Sequence, residues 1–355
     1  MSGRLGPLAG RAKLDHWQRL AGAMSGGPID RLPVSLWRHF PVEDETAAGP
    51  AEANVRWQRR FQFDLVKFMP TGTFSVADWG VRTDYVPSVF GTRRVLALGA
   101  EKIADWERLR PLDPGAGCLG VQVEGLARTV TALDGEAPVL LTAFSPLTTA
   151  LKLAGRDGLH AVMREAPDVL EAALEVITET TIRFIEASVQ GGAHGLFLAT
   201  QCADAAIMSR DDYTRFGIPF DLKILGSAAA QLPFRMLHIH GEAAYFDMLA
   251  SYPVNMLNWH DRMASPPLAV GRSLFPGLVA GGLNEEGPVS GSDVAASRRH
   301  LREALGSRLA PRTMIAPGCS LTMTTTDEMI DALIDEIACH GMAQEGSREE
   351  VADEQ

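Results

Sequence analysis

Residues Phe234–Gly241 read FRMLHIHG, an apolar run of strand length that stops at a histidine pair and a glycine. Working outward from it, the same order of events recurs along the chain: a short apolar, β-branched run, a polar or Gly/Pro break, then a segment with helical period. The other runs are Pro33–Phe40 (PVSLWRHF), Phe63–Thr71 (FDLVKFMPT), Pro138–Ser145 (PVLLTAFS), Gly195–Gln201 (GLFLATQ), Val254–Asp261 (VNMLNWHD), Gly277–Asn284 (GLVAGGLN) and Thr313–Leu321 (TMIAPGCSL). Helix-like segments fall between them at Pro167–Gln190, Asp211–Gln231, Ala243–Tyr252, Asp293–Leu305 and Thr326–His340. Pro167 and Asp168 open the first, and Ser209, Asp211 and Asp212 open the second, as helix N-termini favour. Eight strands alternating with helices predict an α/β fold, a single (β/α)₈ TIM-type barrel, over an open doubly wound sheet.

The expected organisation is an N-terminal helical extension (1–30), a barrel (31–343) and a disordered acidic tail (344–355). The connection from Gly72 to Gly135 forms a long insertion after the second strand, expected to hold a hairpin around Phe74–Val95. A chain of 355 residues and 38.3 kDa fits such a barrel without a second core. With 46% hydrophobic and 22% charged residues it belongs with globular proteins, not with disordered or fibrous ones. Thirty-three Lys+Arg against 44 Asp+Glu leave a net charge of −11, which argues against nucleic-acid and anionic-membrane partners. No window approaches the ~18–20 apolar residues of a membrane span, and the N-terminus lacks an apolar signal core, so a cytoplasmic protein is expected. Four widely spaced cysteines fit reduced thiols better than a disulfide framework.

Chemistry in a barrel of this kind sits where the strands end, because that rim is built from adaptable loops. The run ends carry Arg38 and His39, Thr71, Ser145, Gln201 with Cys202, His238 with His240, His260 with Asp261, Asn284, and Cys319. In His238-Ile239-His240 both imidazoles point to the same side of the strand, which suits two ligands of one metal. His260 or Asp261 and the cysteine of Pro317-Gly318-Cys319 could complete a zinc-type N/O/S set. The competing reading is a pair of hydrogen-bonding rim histidines beside a buried structural cysteine. Arg38 could clamp a carboxylate or phosphate through its planar fork, and Gln201 and Asn284 could orient a polar substrate. Cys202 reads as a small buried hydrophobe. The phosphate loop and the G-x-S-x-G nucleophile elbow are missing, and GAGCLG at 115–120 follows a turn, not a strand.

These motifs together resemble the uroporphyrinogen decarboxylase superfamily, from about Arg31 to Ile337. Met208–Phe220 (MSRDDYTRFGIPF) is similar to the family's "LSPEDFEEFxxPY" segment, and Leu32–Arg38 (LPVSLWR) to its opening "PVWxMRQAGR". Gly281–Asn284 resembles the "GNLDP" turn, and Ala316–Leu321 falls where decarboxylases have "NLGHGI". The resemblance implies a (β/α)₈ barrel with its pocket at the strand C-termini. Several decarboxylase residues are replaced. The acid of "FSDIL" falls at Pro70, beside Thr71; the second arginine of "RQAGR" falls at Val42, and the histidine of "GHG" at Cys319. Arg38 is retained.

The substitutions are closer to the zinc methyltransferase branch, exemplified by methylcobalamin:coenzyme M methyltransferase. That branch has H-x-C at the fifth strand, a cysteine at the eighth and an acidic residue after the sixth. His238 and Cys319 match, His240 stands in the cysteine position, and His260 or Asp261 takes the acidic one. The resemblance thus implies a zinc-dependent methyltransferase that moves a methyl group between a corrinoid and a thiol or other small acceptor. The implied ligands are His238, His240, Cys319 and Asp261 or His260, with Arg38, Gln201 and Asn284 handling substrate. A small-molecule substrate, a corrinoid protein and a homodimeric assembly are the matching partner expectations. The alternatives are a divergent carboxy-lyase acting on a tetrapyrrole (porphyrin-type) or other carboxylated substrate, and a barrel that only captures a small ligand.

Overall fold

The computed structural model describes residues 14–306 and 311–353, with residues 342–353 given by their backbone alone. Nine strands follow in chain order: β1 (Val66–Lys67), β2 (Arg82–Asp84), β3 (Arg94–Ala97), β4 (Val139–Phe144), β5 (Gly195–Thr200), β6 (Phe234–Ile239), β7 (Met256–Trp259), β8 (Leu278–Leu283) and β9 (Thr313–Pro317). β2 and β3 pair antiparallel as a hairpin, and the other seven form one parallel sheet in the order β1-β4-β5-β6-β7-β8-β9. Helices separate its strands, which is the α/β barrel of TIM type expected from the recurring runs.

The count of eight regular strands is not met. Pro33–Phe40 makes only isolated parallel bridges, Val34 with Ile315 and Arg38 with Leu321. It still joins the two ends of the sheet: the Ser35 amide donates to the Ile315 carbonyl at 3.0 Å, and the Asp64 amide to the Val34 carbonyl at 2.8 Å. Between the bridges the first segment advances four residues (34 to 38) while its partner advances six (315 to 321), so two residues bulge out around Pro317-Gly318-Cys319. That bulge breaks the ladder and turns Cys319 toward the barrel mouth.

Strand parity sorts the side chains. From β6, Phe234 and Met236 enter the barrel interior with Leu65, Phe197, Met256 and Met314, while Leu237 and Ile239 pack outward beneath the helices. The expected helix Pro167–Gln190 is observed with those ends. Asp211–Gln231 instead breaks into Arg210–Phe216, Ile218–Leu225 and a 3₁₀ turn at Ala228–Gln231, because Gly217 precedes Pro219 and Gly226-Ser227 interrupts again. Ala243–Tyr252 shrinks to Phe246–Leu249. The insertion holds a hairpin, but at Arg82–Ala97 and not from Phe74, where a short helix, Phe74–Ala77, stands; the helices Ile103–Glu107 and Gly117–Leu133 follow. The last helix, Asp327–Asp353, runs into the acidic tail, where composition predicts disorder; its Glu, Gln, Arg and Ala are good helix formers.

Within the N-terminal extension, the helix His16–Ser25 starts at a capping box of Asp15 and Gln18 and ends at Gly26 in the left-handed region. It docks through Arg19, fully buried, on Asp64 and Asp30. Residues 1–13 of the extension lie outside the described residues. Among the described residues no helix is long and apolar enough to cross a membrane, and all four cysteines are free.

Candidate metal centre

The parity that puts Phe234 and Met236 inside carries on to His238 and then His240. On the neighbouring strand it does the same for Met256, Asn258 and His260, with His238 and Asn258 paired in register. The bulge after β9 adds Cys319. One ligand atom from each of His238, His240, His260 and Cys319 lies within 4.8 Å of all the others. Gly318 permits this approach: a Cβ there would stand 2.9 Å from both Glu285 Oε2 and the Cα of His260.

His238 Nδ1 lies 2.6 Å from Asn258 Oδ1, and the Asn258 amide nitrogen is spent on the carbonyls of Ala280 and Pro317, both at 2.9 Å. Asn258 therefore presents only an acceptor, His238 donates from Nδ1, and its Nε2 keeps a lone pair. His260 Nε2 and His240 Nδ1 are 3.1 Å apart. Burial, then the charges of neighbouring histidines, pushes His238 well below its ordinary range and His240 down to about 4. Both are neutral at pH 7, the state a metal requires. The Cys319 thiol is pushed up to about 11 by burial and then by Glu285, so it becomes a thiolate only if a cation arrives.

Glu285 supplies the test of fit. Its Oε1 is 2.9 Å from His260 Nδ1, yet the geometry is not that of a hydrogen bond, and both carboxylate oxygens and that nitrogen are buried without a hydrogen-bonding partner. Three imidazoles, two of them held neutral by burial, a thiol and a carboxylate without a hydrogen bond make a donor set short of positive charge. Such a set could hold a metal ion.

The centre forms one wall of a cavity of about 390 Å³, which is also lined by Trp37, His39, Lys67, Lys152, Phe197 and Gln201. Gln201 lies where expected. Three other expected site residues lie elsewhere. Arg38 points away from the cavity and stacks on the Trp57 ring at 4.4 Å, because parity gives the inward positions to Trp37 and His39. Asp261 faces outward from β7 and accepts from the Gly282 amide at 2.9 Å, with burial raising its carboxyl to about 7. His260 is thus the residue that joins the cluster. Asn284 caps its own turn, its side-chain oxygen taking the Glu286 amide at 3.0 Å. Sequence reasoning missed Lys67, Lys152, Asn258 and Glu285. For Lys67 and Asn258 the signal was present, since each is a polar residue at an inward position of an apolar run.

Fold and site define a TIM-type barrel with a histidine–cysteine cluster of metal-binding type at its C-terminal rim. The uroporphyrinogen decarboxylase (URO-D) family model matches residues 16–340, and the chain belongs to that family. Its curated relatives include the uroporphyrinogen decarboxylase of Trichlorobacter lovleyi, 23% identical over 290 residues that cover 73% of this chain and 82% of that protein. Another is the methylcobamide:CoM methyltransferase MtaA of Methanosarcina barkeri, 22% identical over 340 residues covering 89% and 95%. Among solved structures, a methyltransferase from Methanosarcina mazei superposes with a TM-score of 0.73 at 18% identity, over 91% of this chain and 98% of that one. That last likeness concerns the fold.

Proposed function

We propose that this protein is a zinc-dependent methyltransferase, passing a methyl group between a corrinoid, free or carried by a protein, and a small acceptor such as a thiol. The observation that carries this reading is the convergence of His238, His240, His260 and Cys319 on one point of the cavity wall. Those four would hold the zinc, with Glu285 close enough to offset its charge or to accept a proton from a bound acceptor. Zinc in such a set would supply Lewis acidity, lowering the acceptor's pKa so that a nucleophile exists at neutral pH.

The chain's own residues do the rest. Asn258 fixes the tautomer and aim of His238. Gln201, with its backbone held by Thr148 at 2.8 Å, offers an amide to orient the acceptor. Trp37, Phe144 and Phe197 line the cavity and exclude water from the reacting atoms. The same cavity disfavours decarboxylation of uroporphyrinogen. Pro70 and Thr71 line the cavity where that reaction uses a carboxylate, and the cavity is of small-ligand size.

The test is incubation with methylcobalamin and a panel of small thiols, following the corrinoid spectrum. Demethylation that needs both zinc and thiol is expected, with Cys319→Ala inactive. A zinc-loaded protein that demethylates with no thiol in the panel would overturn the reading.

A further inference from the structure

Two lysines line the cavity, Lys67 from β1 and Lys152 from the helix Pro146–Glu165. Lys67 is buried at 6% exposure; among the described residues its Nζ meets Met69 Sδ at 3.3 Å and the face of Phe197 at 4.5 Å, and Cys319 is the one titratable group acting on it. Lys152 Nζ sits 4.4 Å from the centre of the Phe144 ring. Among the described residues neither is in an ion pair. The carboxylate nearest the metal cluster, Glu285, is turned to His260, and Glu286 at the mouth is exposed. An ammonium held in an apolar cavity without a carboxylate partner is costly, and both of these charges reach the same cavity residue, His39, whose protonation they oppose. An anion bound in the cavity offsets that cost.

We propose that Lys67 and Lys152 form a subsite for the acidic group of this cavity's ligand, and that the ligand is a small amphiphilic acid: a carboxylate, sulfonate or phosphonate on an apolar body. The apolar body is matched by Trp37, Met69, Phe144 and Phe197. The lysines also do what Arg38 cannot do from its place against Trp57. Each ammonium is a compact charge with three rotatable donors, so the subsite selects for negative charge more than for one headgroup shape. Burial supports the need for an anion, since it lowers Lys67 to about 7 and Lys152 to about 8, values that a bound anion would raise again.

The inference rests on the cavity and its lysines, not on methyl transfer, and the two can fail separately. Titration calorimetry at one pH, on protein as purified, would compare pentanoate and butane-1-sulfonate with pentanamide. The acids should bind roughly 10–100-fold more tightly than the amide, the range of a charge-assisted hydrogen bond. Lys67→Met and Lys152→Met should each shrink that preference, Lys67→Arg should keep part of it, and melting curves would confirm that the variants are folded. Equal affinity for acid and amide, or no acid binding at ~10 mM, overturns the proposal. So does a preference that survives both Lys→Met changes, since the anion would then sit on the histidine cluster. Acid selectivity without any methyl transfer would leave the subsite and remove the methyltransferase. Equal transfer to charged and neutral thiols would do the reverse.

Discussion

Asp64 and Lys67 stand three residues apart on one run of chain and live in opposite electrostatic worlds. Asp64, at the closed end of the barrel, is fully buried and takes hydrogen bonds from His16, Arg19, Arg31 and the Val34 amide, at 2.6 to 2.9 Å for the shortest from each. Burial alone would raise its carboxyl, but Arg31, His16 and Arg19 together hold it far below the carboxylate range. Lys67, at the open end, has a thioether and an aromatic face for company. Glu285, on the same rim, lies 2.9 Å from His260 Nδ1 but has no hydrogen bond to either oxygen. The lesson is that this chain satisfies its buried charges where they hold the fold together and leaves them unsatisfied where a ligand is to complete them.

The largest break in that comparison should come from Asp64→Asn. It takes the carboxylate from the buried Arg31 and leaves Arg19 with Asp30 alone, and urea unfolding should show a loss of ~3–5 kcal/mol. A loss under ~1 kcal/mol would mean that the closed-end network is ornamental. Next, Lys67→Met should leave stability unchanged or raise it by ~1–3 kcal/mol, because it removes a buried charge that has no partner in the unliganded chain. A clear loss of stability would put Lys67 in the same class as Asp64 and erase the contrast.

A third site sharpens the picture by lying between the extremes. Asp221 is fully buried and accepts from Tyr213 at 2.6 Å and Tyr252 at 3.0 Å through one oxygen, while its other oxygen is unpartnered. Burial raises it from 3.8 to about 7 despite the two tyrosines. The folded chain therefore binds more protons than the unfolded one between those values. The contribution to stability is full below 3.8 and is lost as pH rises through about 7. Asp221→Asn removes that slope, so the variant should gain on the wild-type protein as pH rises from roughly 4 to roughly 7, by a few kcal/mol in urea titration. Parallel pH curves for the two proteins would show that Asp221 does not titrate there.

Most of the barrel was legible because short apolar runs with polar ends are what a buried parallel strand demands. The first run was legible as a stave but not as an irregular one, since its ladder is broken by a bulge in a partner more than 270 residues away, between Ile315 and Leu321. In the site, parity decides most of the outcome. His238 and His240 were read by it and lie together. Arg38 and Asp261 follow from chemical type, strand end and family resemblance but not from parity, and each sits one residue from the inward position that Trp37, His39 or His260 occupies. Lys67 sits at an inward position and was passed over because it interrupts an apolar run. Glu285 was not readable at all: Gly282, in the left-handed region at φ 101, resets the strand direction just before it.

The central claim is that His238, His240, His260 and Cys319 hold one metal ion while Asp261 does not. Metal content of purified protein and its variants by mass spectrometry tests it most directly. The wild-type chain and Asp261→Ala should each carry about one zinc. His260→Ala and Cys319→Ala should each lose most of it, and Asn258→Ala should weaken binding ~10–100-fold in competition with a chelator. A wild-type chain that takes up no zinc, or an Asp261→Ala variant as depleted as His260→Ala, would contradict the account.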